Sequence, residues 1–460
     1  MPVLHRRTAL IAALLGFFIV MLDTTIVNVA LPSMGADLGA GVASLQWVVD
    51  AYALVLAAFQ LGAGSVCDRL GARTVYLTGL AVFGALSAIC ALSPNSTALI
   101  VARAAQGLGA AAVIPGSLAL LSELFDDDAD RARAIGLWGG AGGIASAVGP
   151  VAGGGLVSLI GWRIVFWVNV PVIALAVRLT TTAVSAGRSG ARLRGADVPG
   201  QILSAAALGC LTCGIIAWGE HGPSPLAVVV LVAGCAAGAV LVAVEHRRRE
   251  PMLPPGLFAS AGFCVPAFVG LCLNVSFFGQ LFALSLFFQR YLGYSPWAAG
   301  LALTPQACSA IVAAPLGGRA AARLGPLPTM LAGLLVGAAG FAGLTLVGAG
   351  TPFVLIGLTS FAGGFGMALA MPAATSAAVA SAPGTYRGLA GGVVNAARQV
   401  GSVVGVAALG AMVAGRMFPH GFLPGFRAAT GAAAAVFLLA ALVVVVVRPG
   451  RLRRMQSARQ

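Results

Sequence analysis

Charged side chains are scarce in this sequence, and lysine is absent from it. Only 9% of the 460 residues are charged, whereas soluble domains average about 25%. All 27 basic residues are arginine, so the lysine of a P-loop is missing and ATP hydrolysis by that motif is excluded. Because 59% of the residues are hydrophobic and the mean hydropathy is +0.97, lipid is the only solvent that suits this surface.

The remaining polar residues indicate no enzyme, metal or cofactor site. The four histidines lie near a terminus or in loops, and the CxxC pair of Cys210 and Cys213 has no second pair or histidine beside it. The acidic run at 126–130 fits a solvated loop better than a cation site. A net charge of +14 would suit nucleic acid, but the arginines fall in short gaps between apolar runs. We therefore expect no cofactor and no nucleic-acid partner.

Apolar runs of about 20 residues, the length that crosses a bilayer, recur along the chain. They predict an all-α integral membrane protein with fourteen transmembrane helices. The predicted spans are 8–30, 47–66, 74–92, 98–121, 133–158, 163–182, 198–218, 225–244, 262–289, 297–318, 327–348, 353–379, 388–413 and 429–447.

The arginines give an independent test of that number. With a cytoplasmic N-terminus, 21 arginines fall on the cytoplasmic side and 4 outside, while Arg103 and Arg398 lie within spans. This asymmetry follows the positive-inside rule. It predicts a multi-pass protein of the cell membrane with both termini cytoplasmic. The first run is long, carries Asp23 and lacks a clear cleavage site, so we expect it to be retained rather than removed as a signal peptide.

The two halves of the chain repeat each other at offsets of 254 to 257 residues. GSVCDRLG at 64–71 is echoed by GRAAARLG at 318–325, and GLG at 107–109 by GFG at 364–366. This predicts two six-helix pseudo-symmetric bundles, 1–184 and 251–460, with helices 7 and 8 inserted between them at 185–250. Proteins built in this way bind substrate near the membrane midplane, between the halves.

Two lone charges lie within spans of the first half. Asp23 follows the run LIAALLGFFIVML, and Arg103 follows LIVA. A charge at bilayer depth costs at least ~2.5–3.5 kcal/mol, so such residues face the protein interior and usually have a function. Burial disfavours an ionised carboxylate and a nearby cation favours it, so the pair predicts a site that exchanges protons. A purely structural hydrogen bond from Asp23 to the next helix is the alternative.

Four motifs together resemble the major facilitator superfamily, and within it the fourteen-span drug:proton antiporters of the EmrB/QacA and methylenomycin-resistance group. The motifs are LDTTIVNVALP at 22–32, GSVCDRLGAR at 64–73, RAAQGLG at 103–109 and ASAVGPVAGG at 145–154. GWR at 161–163 and NVP at 169–171 also match the group. The resemblance covers nearly the whole chain and implies proton-coupled efflux of multiple drugs or antibiotics by alternating access.

The resemblance also assigns residues. It implies that Asp23 and Arg103 couple transport to protons. The gating loop, a latch for one conformational state, comprises Gly64, Asp68, Arg69, Gly71 and Arg73. The antiporter motif comprises Gly149, Pro150, Gly153 and Gly154, with Ala145 where the family usually has glycine, and it favours export over uptake.

Other residues are assigned less directly. Asn28, Gln106, Asn395 and Arg398 are expected to line the substrate cavity. Asp50 could form a further proton or substrate site, or equally be a solvated helix end. Arg398, in the NAARQ segment at 395–399, could serve coupling or anchoring.

The expected partners are a small amphipathic substrate, protons and membrane lipid, with the chain acting as a monomer. Two other functions remain as alternatives. A proton-linked uptake symporter is disfavoured by Gly149 and Pro150, and a non-transporting membrane sensor is disfavoured because the sequence has no polar segment that would form a signalling domain.

Overall fold

The computed structural model consists of α-helices. It describes residues 3–125, 127–184, 197–248, 255–382, 387–414 and 421–447, and these contain no β-strand. Fourteen helices among them are long and apolar enough to cross a membrane. Helices suit lipid because each satisfies its own backbone hydrogen bonds.

The described residues form sixteen α-helices that follow one another along the chain. In the first part they are α1 Val3–Leu38, α2 Val42–Leu70, α3 Ala72–Ala91, α4 Ser96–Leu124, α5 Asp128–Ile160, α6 Ile164–Trp167, α7 Asn169–Ala183, α8 Val198–His221 and α9 Pro225–Arg247. In the second part they are α10 Pro255–Phe258, α11 Ala261–Leu286, α12 Pro296–Leu324, α13 Pro326–Leu344, α14 Phe353–Ser381, α15 Arg387–Val413 and α16 Phe422–Val447. The short α6 and α7 make one span together, and a π-helical turn, Phe287–Tyr291, extends α11.

The prediction of fourteen spans is confirmed, with small differences at helix ends. The first span continues to Leu38, with Pro32 inside it. The last begins at Phe422 rather than 429, because the start of α16 packs closely on the preceding helix. A Cβ on Gly425 would lie 3.4 Å from Cα of Val413.

The helices group into two compact units. The first contains Met1–Leu241 and Leu284–Thr304, and in it α1 packs against α4, α5 and α7, while α2 packs against α4 and α8. The second contains Val242–Ala283 and Pro305–Gln460, and in it α13 packs against α14 and α16. The predicted domain boundaries at 184 and 250 stay a prediction.

The repeat is visible in the geometry of matching turns. Gly71 joins α2 to α3 with φ of 84°, and Gly325 joins α12 to α13 with φ of 91°. Residues other than glycine rarely adopt this backbone conformation. Each repeat therefore uses a glycine at the same place, where two long helices meet in a single-residue turn.

Candidate coupling site

Asp23 and Arg103 form an ion pair in the core of the first unit. Oδ2 of Asp23 lies 2.5 Å from Nη1 of Arg103, and both side chains are almost completely buried. The pair connects α1 to α4. The two charges that the sequence analysis took together thus form one ion pair, in which each charge is the counter-ion that offsets the cost of burying the other.

Three further polar side chains surround the carboxylate of Asp23. Asn169 on α7 donates to Oδ1 at 2.9 Å, and Gln106 on α4 lies within 3.4 Å of the same oxygen. Both amides also donate to Oγ of Ser87 on α3, at 3.0 and 2.7 Å. The cage therefore places two amide donors and one hydroxyl around the buried carboxyl group.

Arg103 is held in place on its other sides. Its Nε donates to the backbone oxygen of Val48 at 3.1 Å, and its Nη1 donates to Gln106 at 2.7 Å. Its guanidinium carbon lies 4.1 Å from the ring centre of Tyr52 and 5.7 Å from that of Phe166. Aromatic faces attract cations. Arg103 therefore keeps several stabilising contacts when its bond to Asp23 weakens.

The antiporter-motif glycines bring α5 against the turn of α1 that carries Asp23. A Cβ on Gly149 would lie 3.0 Å from Cβ of Thr25, and one on Gly153 would lie 2.7 Å from Cγ1 of Ile26. Thr25 and Ile26 follow Asp23 within one helical turn. Glycines that permit such close approach are typical of helix interfaces in lipid.

Gly154 makes a second close crossing, with the start of α12. A Cβ there would lie 2.5 Å from the backbone oxygen of Pro296 and 3.2 Å from Cα of Gly300. Pro150 lies inside α5, where it removes one backbone donor. The motif is thus a run of tight packing contacts on two faces of α5.

Asp50 on α2 is completely buried, so it is not a solvated helix end. Neither carboxyl oxygen has a hydrogen-bond partner among the described residues. An ionised carboxylate without a partner is very costly to bury. A protonated Asp50, or one that meets a proton or cation during transport, fits this environment.

The gating loop is only partly described. Gly71 has the positive φ noted above, and a Cβ on Gly64 would meet nothing within 4 Å. Nε of Arg73 is buried without a hydrogen-bond partner among the described residues. Arg69 forms at least one noncovalent contact. The side chain of Asp68 lies outside the described residues, although its backbone belongs to α2.

The four residues predicted for the substrate cavity occupy different surroundings. Gln106 belongs to the Asp23 cage. Asn28 is buried on α1, with its Oδ1 unpartnered among the described atoms and its backbone oxygen accepting from Ser285 at 2.6 Å. Asn395 and Arg398 lie half-buried on α15 in the second unit. They stay candidates for substrate contact.

Sequence reasoning missed Asn169 and Ser87 as members of the site. Asn169 was visible only as part of the NVP segment, and Ser87 is a small residue that helices in lipid tolerate anywhere. The available signal was an amide in an otherwise apolar span, a residue type that is expensive in lipid unless it is bonded.

The second unit contains an uncharged counterpart of this site. Gln280, Gln306 and Ser360 lie 256 or 257 residues after Asp23, Asp50 and Arg103. Nε2 of Gln306 donates to Oε1 of Gln280 at 2.9 Å, and all three side chains are buried. The amide nitrogen of Gln280, the amide oxygen of Gln306 and the hydroxyl of Ser360 have no hydrogen-bond partner among the described atoms. Both units therefore have polar side chains at these three matched positions, but those of the first unit are charged and those of the second are neutral.

The charged groups of this site are one carboxylate and one guanidinium. The described residues contain no cluster of three histidine, cysteine or acidic side chains that would hold a metal. A single carboxylate with an adjacent guanidinium can bind and release one proton while remaining shielded from lipid.

Fourteen membrane-spanning helices in two repeated halves, with a buried ion pair in one half, define a membrane transporter. The chain belongs to the Major Facilitator Superfamily, whose profile matches residues 13–246 and 266–460. The resemblance noted in the sequence is thereby confirmed.

Comparison with sequence relatives shows which members of the superfamily the chain is similar to. The chain is 36% identical over 399 residues to the methylenomycin A resistance protein of Streptomyces coelicolor, covering 86% of this chain and 84% of that protein. It is 36% identical over 409 residues to the multidrug resistance protein Stp of Mycobacterium tuberculosis H37Rv (88% and 75%). It is 34% identical over 411 residues to the tetracenomycin C resistance and export protein of Streptomyces glaucescens (89% and 76%).

A solved structure confirms the fold. A POT family transporter in complex with a thioalcohol-conjugated peptide has a TM-score of 0.70 at 15% identity, covering 96% of both chains. The chain is therefore a multi-pass membrane transporter, not an enzyme, related to multidrug and antibiotic-resistance exporters.

Proposed function

We propose that this protein exports small amphipathic, antibiotic-like compounds in exchange for incoming protons, as a monomer working by alternating access. The observation that carries the proposal is the buried pair of Asp23 and Arg103 with its cage of amides. Such an intramembrane carboxylate is by default a functional site. The names of the relatives support antibiotics as the substrate class.

The proton acts on the ion pair. A proton that binds Oδ2 of Asp23 neutralises the carboxylate and removes the charge attraction that holds Nη1 of Arg103. Arg103 then relies on Gln106, the Val48 carbonyl and the Tyr52 ring. Since these partners lie on α2 and α4, protonation loosens α1 from α4 and changes which conformational state is favoured.

Export is favoured over uptake by the antiporter motif that contains Gly149 and Pro150, and by the export and resistance names among the relatives. Asp68 and the neighbouring arginines are proposed to latch one state, as the motif implies. Asp50 is proposed as a second titrating group, because its buried carboxyl has no partner among the described residues.

The first experiment is a drug-susceptibility panel on cells that express the chain, including methylenomycin A and tetracenomycin C, with a proton uncoupler as control. Resistance that disappears with the uncoupler supports proton-driven export. Sensitisation by the chain would instead indicate uptake, and no change across the panel would leave the sensor alternative.

The second experiment replaces Asp23 by Asn and measures efflux driven by an imposed pH gradient in vesicles. We expect Asp23→Asn to abolish gradient-driven efflux while the protein stays folded in the membrane. Asp37→Asn is the matched control, because Asp37 is about half-exposed and pairs with Arg163 at 2.6 Å, away from the cage. Wild-type rates in Asp23→Asn would remove Asp23 from the mechanism.

The proposed orientation puts both termini in the cytoplasm, on the basis of the arginine distribution. Reporter fusions after Arg194 and after Arg249 should both read cytoplasmic. An external reading at either point would contradict this topology.

A further inference from the structure

The second half of the chain has no acid with which to balance a buried cation. No aspartate or glutamate occurs between Pro251 and Gln460. Yet Arg398 lies on α15, eleven residues after Arg387 at the helix start, or about 16 Å along the helix axis. That is close to the middle of a hydrocarbon core about 30 Å thick, where an arginine costs several kcal/mol without a counter-charge.

Close helix packing holds Arg398 against α11. Its Cγ lies 3.4 Å from the position that a Cβ on Gly270 would take, and a Cβ on Gly401 would lie 3.2 Å from Cβ of Asn274. Asn274 uses its amide nitrogen on the backbone of its own helix, at Gly270. The methylene part of the Arg398 side chain is therefore packed where α15 meets α11.

The contacts described for Arg398 leave its Nε unsatisfied and give the side chain no counter-ion. Its Nε is buried and makes no hydrogen bond among the described atoms, and no carboxylate of the described residues pairs with it. Arg103 in the first unit is the contrast, since it has Asp23, Gln106, a backbone oxygen and an aromatic ring. Asn395, one turn before Arg398, also makes no side-chain hydrogen bond within the described part of the chain and adds a neutral donor nearby.

We propose that the exported substrate is an amphipathic organic anion whose carboxylate-like group is bound by Arg398 and assisted by Asn395. This rests on the proposed transport function and specifies its substrate class. A planar guanidinium matches a carboxylate with two parallel hydrogen bonds. The anion supplies the charge that the second half of the chain lacks, and its apolar body suits the surrounding helices.

The test is equilibrium binding to purified wild-type protein of three probes that share one aromatic body: 2-naphthylacetate, 2-naphthylacetamide and (2-naphthylmethyl)trimethylammonium. We expect the carboxylate to bind at least ~10-fold more tightly than the amide, the lower limit for a hydrogen bond to a charged group. Arg398→Gln should remove that preference and leave the amide affinity unchanged. Arg398→Lys should keep part of it, because the charge stays while the two-pronged geometry is lost.

Four outcomes would overturn the proposal. They are a wild-type preference for the ammonium probe, no measurable carboxylate preference, an unchanged carboxylate affinity in Arg398→Gln, and an equal loss for all three probes in both variants. If Arg398→Gln fails to fold, Arg398→Lys alone must weaken the carboxylate several-fold relative to the amide. Because binding is measured without a gradient, its failure is distinct from failure of proton coupling, which Asp23→Asn tests by transport.

Discussion

Replacing Asn169 by alanine should change the pH dependence of transport more than its maximal rate. Asn169 donates to Oδ1 of Asp23 at 2.9 Å inside the buried cage. When a proton binds Oδ2, the same amide still donates to the neutral carbonyl oxygen Oδ1, but that bond is weaker than the bond to the ionised carboxylate. Its loss therefore favours proton binding at Asp23, and the pH at which transport is half-maximal should rise.

The magnitude follows from the nature of the bond. Hydrogen bonds to charged groups contribute about 1.5–3 kcal/mol, and one pH unit corresponds to about 1.4 kcal/mol. Because a bond of about 0.5–1.5 kcal/mol to the neutral carboxyl is lost as well, the difference is about 1–1.5 kcal/mol, and the profile should move by about 1 pH unit. Gln106 and Arg103 still contact the carboxylate in this variant, so the ion pair should persist.

The assay is substrate-dependent proton movement in proteoliposomes, measured across a range of external pH with a compound that the susceptibility panel identifies. Thr180→Val is the matched control, because Thr180 is a buried polar residue on the same helix whose hydroxyl donates to the backbone oxygen of Ala176, one turn earlier. Thr180→Val should leave the pH of half-maximal transport unchanged. A lower rate for Asn169→Ala at every pH, with no movement of the midpoint, would refute the role of Asn169 in tuning Asp23.

Three further predictions concern the packing and latch motifs. Gly154→Ala should lower stability by about 1–3 kcal/mol and slow transport, since its Cβ meets the Pro296 backbone, whereas Gly140→Ala on the same helix meets nothing within 4 Å and should be neutral. Thermal unfolding in detergent compares the two. Gly71→Ala should destabilise by about 1–2 kcal/mol because of its positive φ, whereas Gly64→Ala has open space and should be tolerated; equal effects in unfolding assays would contradict this. Asp68→Ala should slow transport strongly while changing equilibrium binding by only ~1–2 kcal/mol, and loss of binding with an unchanged exchange rate would place Asp68 in the substrate site instead.

The spans and the charges within them could be predicted from the sequence because lipid imposes simple rules on it. A span must be apolar over about 20 residues, so the fourteen helices can be read from composition alone. A charge within a span is conspicuous for the same reason, which identified Asp23, Arg103 and Arg398. The repeat followed from glycines whose turn geometry has no substitute, as Gly71 and Gly325 illustrate.

The partners of those charges were not accessible in this way. A helix in lipid is apolar on all sides, so its sequence pattern does not say which face meets which neighbour. Only the packing of α1, α3, α4 and α7 brings Asp23 to Asn169, 146 residues away, and to Arg103, 80 residues away. The same holds for the bond between Gln280 and Gln306, which neither residue suggests alone.

The sequence by itself thus determined the class of protein, the number of spans and the identity of the charged residues, because each follows from the cost of exposing polar groups to lipid. The tertiary structure decided which charges are satisfied. It pairs Arg103 with Asp23, buries Asp50 without a partner among the described residues, and leaves Arg398 without a described counter-ion. Charge satisfaction depends on distances of a few ångströms between helices that are remote in the chain, and only side-chain packing fixes those distances.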